Sequence, residues 1–288
     1  MATRRTRSSS RRTSRPRRRS HAGRFIAILA AIVVVAGLAI YQATAAPEAA
    51  PAASAAVGTK SLLAVDVPRS VPQQTVEYTG FTVNFNRDKH VPNYVAWELT
   101  AEKAAGTLPR GNKFAPDPRV RGCAELDDYR RSGFDRGHMA PAGDMKWSAR
   151  AMDDCFYLSN MCPQTKRLNS GKWNDLEKNT RRWATIDGQL IIIAGPVLTD
   201  RITHSIGAGR VAVPNRFFKV IYSPAKQQMV AFVFSNTDLP EAVKDAACSV
   251  DDVEAITGMD FFAALPDELE NKLESQNNYA RWQRSHRK

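Results

Sequence analysis

The 288-residue sequence contains only four cysteines, Cys123, Cys155, Cys162 and Cys248, and no two of them form a Cys-x-x-Cys pair. That absence excludes the ligand spacing of a zinc finger or zinc ribbon. Four cysteines still allow three disulfide pairings, and their order along the chain does not choose among them. Acidic residues are missing altogether from residues 1–24, which hold ten arginines. Beyond residue 24, 31 basic residues stand against 29 acidic ones, so the formal charge of +12 belongs almost wholly to the leader. The total therefore does not by itself mark the folded part as a nucleic-acid surface. No internal repeat is found, which excludes a solenoid. Apolar runs long enough for a membrane are also missing, with one exception, so a polytopic membrane protein is excluded.

The exception is Phe25 to Tyr41, 17 residues without a charge. This is near the lower limit for crossing a bilayer. Arginines precede it and none follows until Arg69, a bias that places the N-terminus in the cytoplasm and the rest outside. Two readings stay open. Residues 25–41 act as a single-pass anchor, with the lipid bilayer as partner and an extracytoplasmic domain at the cell membrane. Alternatively they form the core of a signal peptide cut near Ala43-Thr44-Ala45, which gives a secreted or periplasmic protein. The expected organisation is a basic cytoplasmic leader at 1–24, the apolar segment at 25–41 and an Ala/Pro-rich linker at 42–64. A domain at 65–280 and a basic tail at 281–288 complete it.

Within the domain, apolar runs bounded by turn residues predict strands at Phe81–Phe85, Tyr94–Leu99, Leu190–Ala194, Phe217–Tyr222 and Val230–Phe234. Helices are predicted at Ser148–Asp154, Lys172–Thr185, Val250–Thr257 and Pro266–Glu274. Strands and helices do not alternate regularly, so the fold class is α+β.

Three histidines fall inside the domain, His90, His138 and His204. His138 is distinguished by its surroundings, with Arg136 two residues before it and glycines at 137 and 143. A base and a fixed cation on a backbone able to approach a ligand closely suit acid–base work. Further on, Asn169, Trp173, Glu177 and Arg181 recur every four residues. On an α-helix they form one slowly drifting stripe of amide, aromatic, carboxylate and guanidinium. Such a stripe suits either a site wall or a solvated face with ion pairs.

Asp-Arg-Gly-His-x-x-Pro at 135–141, Asn-x-x-Pro-Gln at 160–164 and Asn-x-x-x-Trp-x-x-x-Glu at 169–177 together resemble the DNA/RNA non-specific endonuclease family. Ala194-Gly195-Pro196 and the stretch from Val213 to Val220 are similar to its later strand segments. The resemblance implies a central, mostly antiparallel sheet flanked by helices, with a ββα-metal catalytic motif. It also implies roles: His138 as general base, Arg136 beside the reacting phosphate, and Glu177 as the carboxylate touching water on the metal. Asn169 matches the direct metal ligand, and Asn160 and Arg181 are expected to contact substrate. The family's further upstream arginine corresponds to Arg110, Arg119 or Arg121.

These residue types fit phosphodiester hydrolysis. An imidazole can be neutral and basic near pH 7, a guanidinium pairs with phosphate, and a divalent cation neutralises a departing oxygen. If residues 169–177 are α-helical, the Cα atoms of Asn169 and Glu177 are about 12 Å apart along the axis, too far for both to bind one ion directly. A single direct oxygen ligand suits Mg²⁺, with Mn²⁺ as substitute. The expected substrates are DNA and RNA, cut with little sequence preference to leave 5′-phosphates. The alternative is a non-catalytic, membrane-anchored receptor for extracellular DNA.

Overall fold

The computed structural model describes residues 57–277 and 279–286. The leader, the apolar run 25–41 and most of the expected linker lie outside the described residues. The end of that linker belongs to the fold, because Thr59–Leu62 is a helical turn that buries Leu62.

Nine strands position the site: β1 (Gln74–Glu77), β2 (Thr82–Asn86), β3 (Val91–Thr100), β4 (Asp135–His138), β5 (Met161–Gln164), β6 (Gln189–Pro196), β7 (Arg216–Ser223), β8 (Gln228–Ser235) and β9 (Ala247–Cys248). Seven of them form one antiparallel sheet in the order β9-β8-β7-β6-β3-β2-β1, and β4 pairs with β5 as a separate hairpin. The α+β class with a largely antiparallel sheet is thus observed. Each strand found by its apolar run is present; Phe81–Phe85 is shifted by one residue to Thr82–Asn86, and the other four are extended by one to three residues at each end.

The central strands are apolar on both faces because both faces are covered. On β6, Leu190, Ile192 and Ala194 enter one core while Ile191 and Ile193 enter a second. On β7, Phe217 and Ile221 join the first core, and Phe218, Val220 and Tyr222 the second. This period-two division is the pleat of a strand. It explains why Leu190–Ala194 reads as an unbroken hydrophobic run rather than an alternating one.

Five helices flank the sheet: α1 (Ala149–Asp154), α2 (Asn174–Asp187), α3 (Val250–Thr257), α4 (Asp267–Glu274) and α5 (Tyr279–Ser285). Ser148 caps α1, accepting a hydrogen bond from the Ala151 amide, and Ser249 with Asp252 makes a capping box on α3. Segment 139–187, with α2, supplies Met139, Trp173, Leu176 and Trp183 to the first core. Helices α3 and α4 supply Val250, Val253 and Leu273 to the second.

Three expectations are corrected. The run leading into α2 is not one α-helix: Leu168–Trp173 is π-helical and Gly171 departs from helical geometry (φ −104°, ψ −109°). The 12 Å axial spacing reasoned for Asn169 and Glu177 therefore does not apply. The four cysteines carry free thiols, and Cys155 and Cys162 are fully buried. Finally, residues 281–286 are not a tail. They complete α5, whose Trp282 is 1% exposed and packs edge-on against Trp183 with centroids 5.5 Å apart. His286 Nε2 lies 2.8 Å from Asp187 Oδ2 at the end of α2. The exposed Arg281, Gln283 and Arg284 hid this docking, since only Trp282 and His286 of the segment are buried.

A large buried aromatic truncated to alanine typically costs about 3–5 kcal/mol. Trp282→Ala should therefore lower the urea unfolding midpoint clearly, whereas a solvated tail would leave it unchanged.

Candidate active site

The hairpin β4–β5 sets Arg136 opposite Pro163 and His138 opposite Met161. Gly137 is required between them, because a Cβ there would overlap the buried Gln164 side chain. Three contacts fix the end of β4. Trp173 Nε1 donates to the His138 carbonyl at 3.2 Å, the Met139 amide donates to the Asn160 carbonyl at 3.0 Å, and the Ala140 amide donates to Asn160 Oδ1 at 2.9 Å.

A groove of about 500 Å³ lies beside the hairpin, lined by Arg110, Phe114, Tyr129, Asp135, Arg136 and Asn169 among others. Arg136 lies 4.1 Å above the Phe114 ring and Arg110 5.2 Å above the Phe156 ring. His138 packs between the same two aromatics, 5.6 Å and 5.0 Å from their centroids. It is 7% exposed, and among the described residues its Nε2 has no hydrogen-bond partner. Burial drives its pKa down to about 3, and the charges of Arg110 and Arg136 push in the same direction. The imidazole is therefore neutral at physiological pH.

Of the three upstream arginines, the structure brings Arg110 to the groove. Arg119 stacks 4.1 Å over Tyr78, pairs with Asp117 at 3.5 Å and donates to the Glu77 carbonyl. The Arg121 amide is held by Gln74.

Asn169 reaches the groove from the π-helical turn. Its Nδ2 donates to Asp135 Oδ2 at 3.0 Å, which orients the amide. Among the described residues no donor satisfies its Oδ1. An oriented amide oxygen in a groove shared with a carboxylate suits a hard divalent cation, which prefers oxygen ligands. Thiol and imidazole ligands of the kind zinc favours do not line this groove.

Behind Asn169, one turn into α2, Glu177 has its pKa raised to about 7 by burial, with the nearby Asp144 adding to the shift. Lys219, Arg181 and Arg110 oppose that rise. Arg110 thus acts on both His138 and Glu177.

Two residues expected to bind substrate are committed elsewhere. Asn160 is fully buried; its Nδ2 donates to the carbonyls of Ala140 and Cys155, both at 2.9 Å, while its Oδ1 holds the Ala140 amide. No polar atom of its side chain is left for a ligand, so it supports the turn after His138. Arg181 donates to Asp144 Oδ1 at 2.8 Å and is held there. Sequence spacing located both near the site but could not show which way they point.

Lys219 and Asp144 were missed. Lys219 on β7 is 1% exposed, with Nζ 4.3 Å from the Trp173 ring centroid and 5.6 Å from that of Trp97. Burial lowers its pKa, while Glu177 and Asp144 push the other way. The signal was available: Lys219 keeps the period-two phase of Phe217 and Ile221, which face the first core. Asp144 is 1% exposed and also accepts from Trp97 Nε1 at 3.0 Å. No local pattern announces it.

Residues 58–268 match the family described as DNA/RNA non-specific endonuclease. The chain is 35% identical over 207 residues to "Nuclease EXOG, mitochondrial" of Danio rerio, covering 65% of this chain and 60% of that protein. It therefore spans less than two thirds of that relative's length. It is 33% identical over 225 residues to "Nuclease 1, mitochondrial" of Schizosaccharomyces pombe, covering 69% of each. A solved structure, "Crystal structure of the EndoG/EndoGI complex: Mechanism of EndoG inhibition", superposes with TM-score 0.64 at 29% identity, covering 68% of this chain and 88% of that one. These findings correct the expected cell-membrane placement and the lipid bilayer partner. The relatives are mitochondrial nucleases by name. Among the described residues no helix is long and apolar enough to cross a membrane, and residues 25–41 lie outside them. With nearly three quarters of its length matched, the chain belongs to the DNA/RNA non-specific endonuclease family, a family of nucleases.

Proposed function

We propose that this chain is a metal-dependent endonuclease that hydrolyses phosphodiester bonds of DNA and RNA with little sequence preference and leaves 5′-phosphates. The observation that carries this reading is His138: a buried, neutral imidazole with an unpartnered Nε2, beside a groove carrying Arg110, Arg136 and Asn169. A binding protein needs the arginines but has no use for an unsatisfied buried base, which disfavours the receptor alternative.

His138 Nε2 accepts the proton of the attacking water. Its low pKa in the free chain keeps it unprotonated, and a phosphate placed against Arg110 and Arg136 offsets the two positive fields that depress it. The imidazole therefore gains basicity when substrate arrives. Arg136 and Arg110 hold the phosphate and stabilise the charge that builds in the transition state. Asn169 through Oδ1, with Glu177 behind it, would hold Mg²⁺ or Mn²⁺. When bound, that cation would supply charge neutralisation for the departing 3′ oxygen. Guanidinium and amide groups in the groove contact phosphate rather than base edges, which accounts for the lack of sequence preference.

His138→Ala should lower the cleavage rate on plasmid DNA by about 10²–10⁴ while DNA affinity changes only a few-fold; full activity would remove His138 from this role. Asn169→Ala should move the Mg²⁺ activation curve to higher concentration. An unchanged curve takes Asn169 out of the metal site.

The state of His138 also has a stability signature. Its folded pKa is depressed to about 3, from 6.5 in the unfolded chain. The unfolded chain therefore takes up the proton first as pH falls through that interval, and stability drops by at most about 1.4 kcal/mol per pH unit. His138→Gln cannot titrate. Its urea midpoint should fall less than the native one between pH 7 and pH 5, and equal falls would contradict a neutral buried His138.

A further inference from the structure

Across the sheet from the groove, the second core is capped by a layer of carboxylates. Asp251 and Glu254 stand on α3, Glu270 and Glu274 on α4, and Asp260 on a two-stranded ribbon, Val65–Asp66 with Asp260–Phe261. In that ribbon Asp66 is paired directly with Asp260, a like-charge arrangement that is unfavourable on its own. The ligand oxygens of Asp251, Glu254 and Glu274 all lie within 4.8 Å of one another. Glu274 is 5% exposed, and among the described residues its buried Oε1 has no hydrogen-bond partner; the same holds for Glu270 Oε1. An unpaired carboxylate oxygen at that depth carries a large desolvation penalty unless a cation or a proton meets it.

From this geometry we infer that Asp251, Glu254 and Glu274 form a second divalent-cation site, of calcium size, that ties α3 to α4 on the face opposite the catalytic groove. Oxygens separated by up to 4.8 Å fit around an ion whose bonds are about 2.3–2.6 Å, the calcium range. Three carboxylates and open solvent on the Asp251 side provide the mixture of protein and water ligands that Ca²⁺ accepts. The Phe261 amide donates to Glu254 Oε1 at 2.9 Å and so orients that carboxylate within the cluster.

The electrostatics agree. Burial raises the pKa of Glu274 to about 8 and that of Glu270 to about 7. Every charge that adds to these two shifts is another carboxylate, Glu254, Asp260, Asp251 or Asp267 among them. A group with a raised folded pKa stabilises the fold below its unfolded pKa, and that contribution is lost as pH rises through the folded value. Without a cation, this face should weaken as pH rises from about 4.5 to about 8. A bound cation would replace the missing positive charge and remove that loss.

The test is thermal unfolding of the full chain at pH 8 in EDTA and in CaCl₂, with NaCl matching the ionic strength. Ca²⁺ should raise the unfolding temperature by several degrees, and the rise should persist in Asn169→Ala, where the catalytic groove has lost its candidate ligand. Glu274→Gln should abolish the rise and, in EDTA, unfold at a higher temperature than the native chain because one buried like charge is gone. Asp251 is exposed, so Asp251→Asn should fold normally and weaken the Ca²⁺ midpoint tenfold or more, with nuclease activity in Mg²⁺ unchanged. The inference is overturned by a native chain that does not respond to Ca²⁺ beyond the NaCl control. It is equally overturned by full responses in both Glu274→Gln and Asp251→Asn, or by a response that disappears in Asn169→Ala. None of these outcomes depends on whether His138 is the base.

Discussion

The arrangement of the catalytic segment depends on a small layer of buried charge between the sheet and α2. Asp144 is its centre, accepting from Trp97 of β3 and from Arg181 of α2. Lys219 of β7 faces the same space under Trp173, and Glu177 completes a set of two acids and two bases. Isolated charges at this depth would be prohibitively unfavourable, but opposite charges in one low-dielectric space compensate each other. Burial pushes the pKa of Asp144 and Glu177 up and that of Lys219 down, and the opposite charges resist these shifts: Lys219 and Arg181 for the two acids, Glu177 and Asp144 for Lys219. The consequence is mechanical as well as electrostatic. Helix α2 is bolted to β3 by polar contacts at its middle, so the π-helical turn before it presents Asn169 at a fixed place.

That fixed layer also sets the division of labour at the groove. The groove wall is cationic through Arg110 and Arg136, while the base behind it is neutral because aromatic rings exclude water from it. A phosphodiester needs both properties at once: positive charge where its oxygens rest and a proton acceptor where water attacks. The supports are as specific as the reactive groups. Asn160 spends its whole amide on two backbone carbonyls and one amide, and Trp173 holds the His138 carbonyl. A search for reactive residues by type alone does not separate Asn160, which braces, from Asn169, which is presented to the groove.

Much of the architecture was legible in the chain. The runs at 190–194, 217–222 and 230–234 could only be buried strands, and Val250–Thr257 is a helix with the bounds its capping residues suggest. The motif at 135–141 located His138 and Arg136 before any coordinates. Strand β1 was not legible, since Gln74–Glu77 is polar and half-buried at a sheet edge. Nor was α5, whose one buried tryptophan is surrounded by charged neighbours. The hairpin β4–β5 was hidden because its strands are four residues long and carry glycine and proline, residues that local propensity assigns to turns.

The sequence by itself determined the fold class, five of the seven strands of the central sheet and the identity of the residues able to do chemistry, because periodicity and residue type are local properties. It also determined that the large positive charge is a property of the leader and not of the domain. Tertiary structure alone decided which of Arg110, Arg119 and Arg121 enters the groove, that Arg181 and Asn160 turn inward as supports, and that Lys219 balances Glu177. It alone brought five carboxylates from α3, α4 and the ribbon onto one face. Each of these depends on where a side chain points and on what stands opposite it across tens of residues, and such pairings are set by packing, which local sequence does not encode.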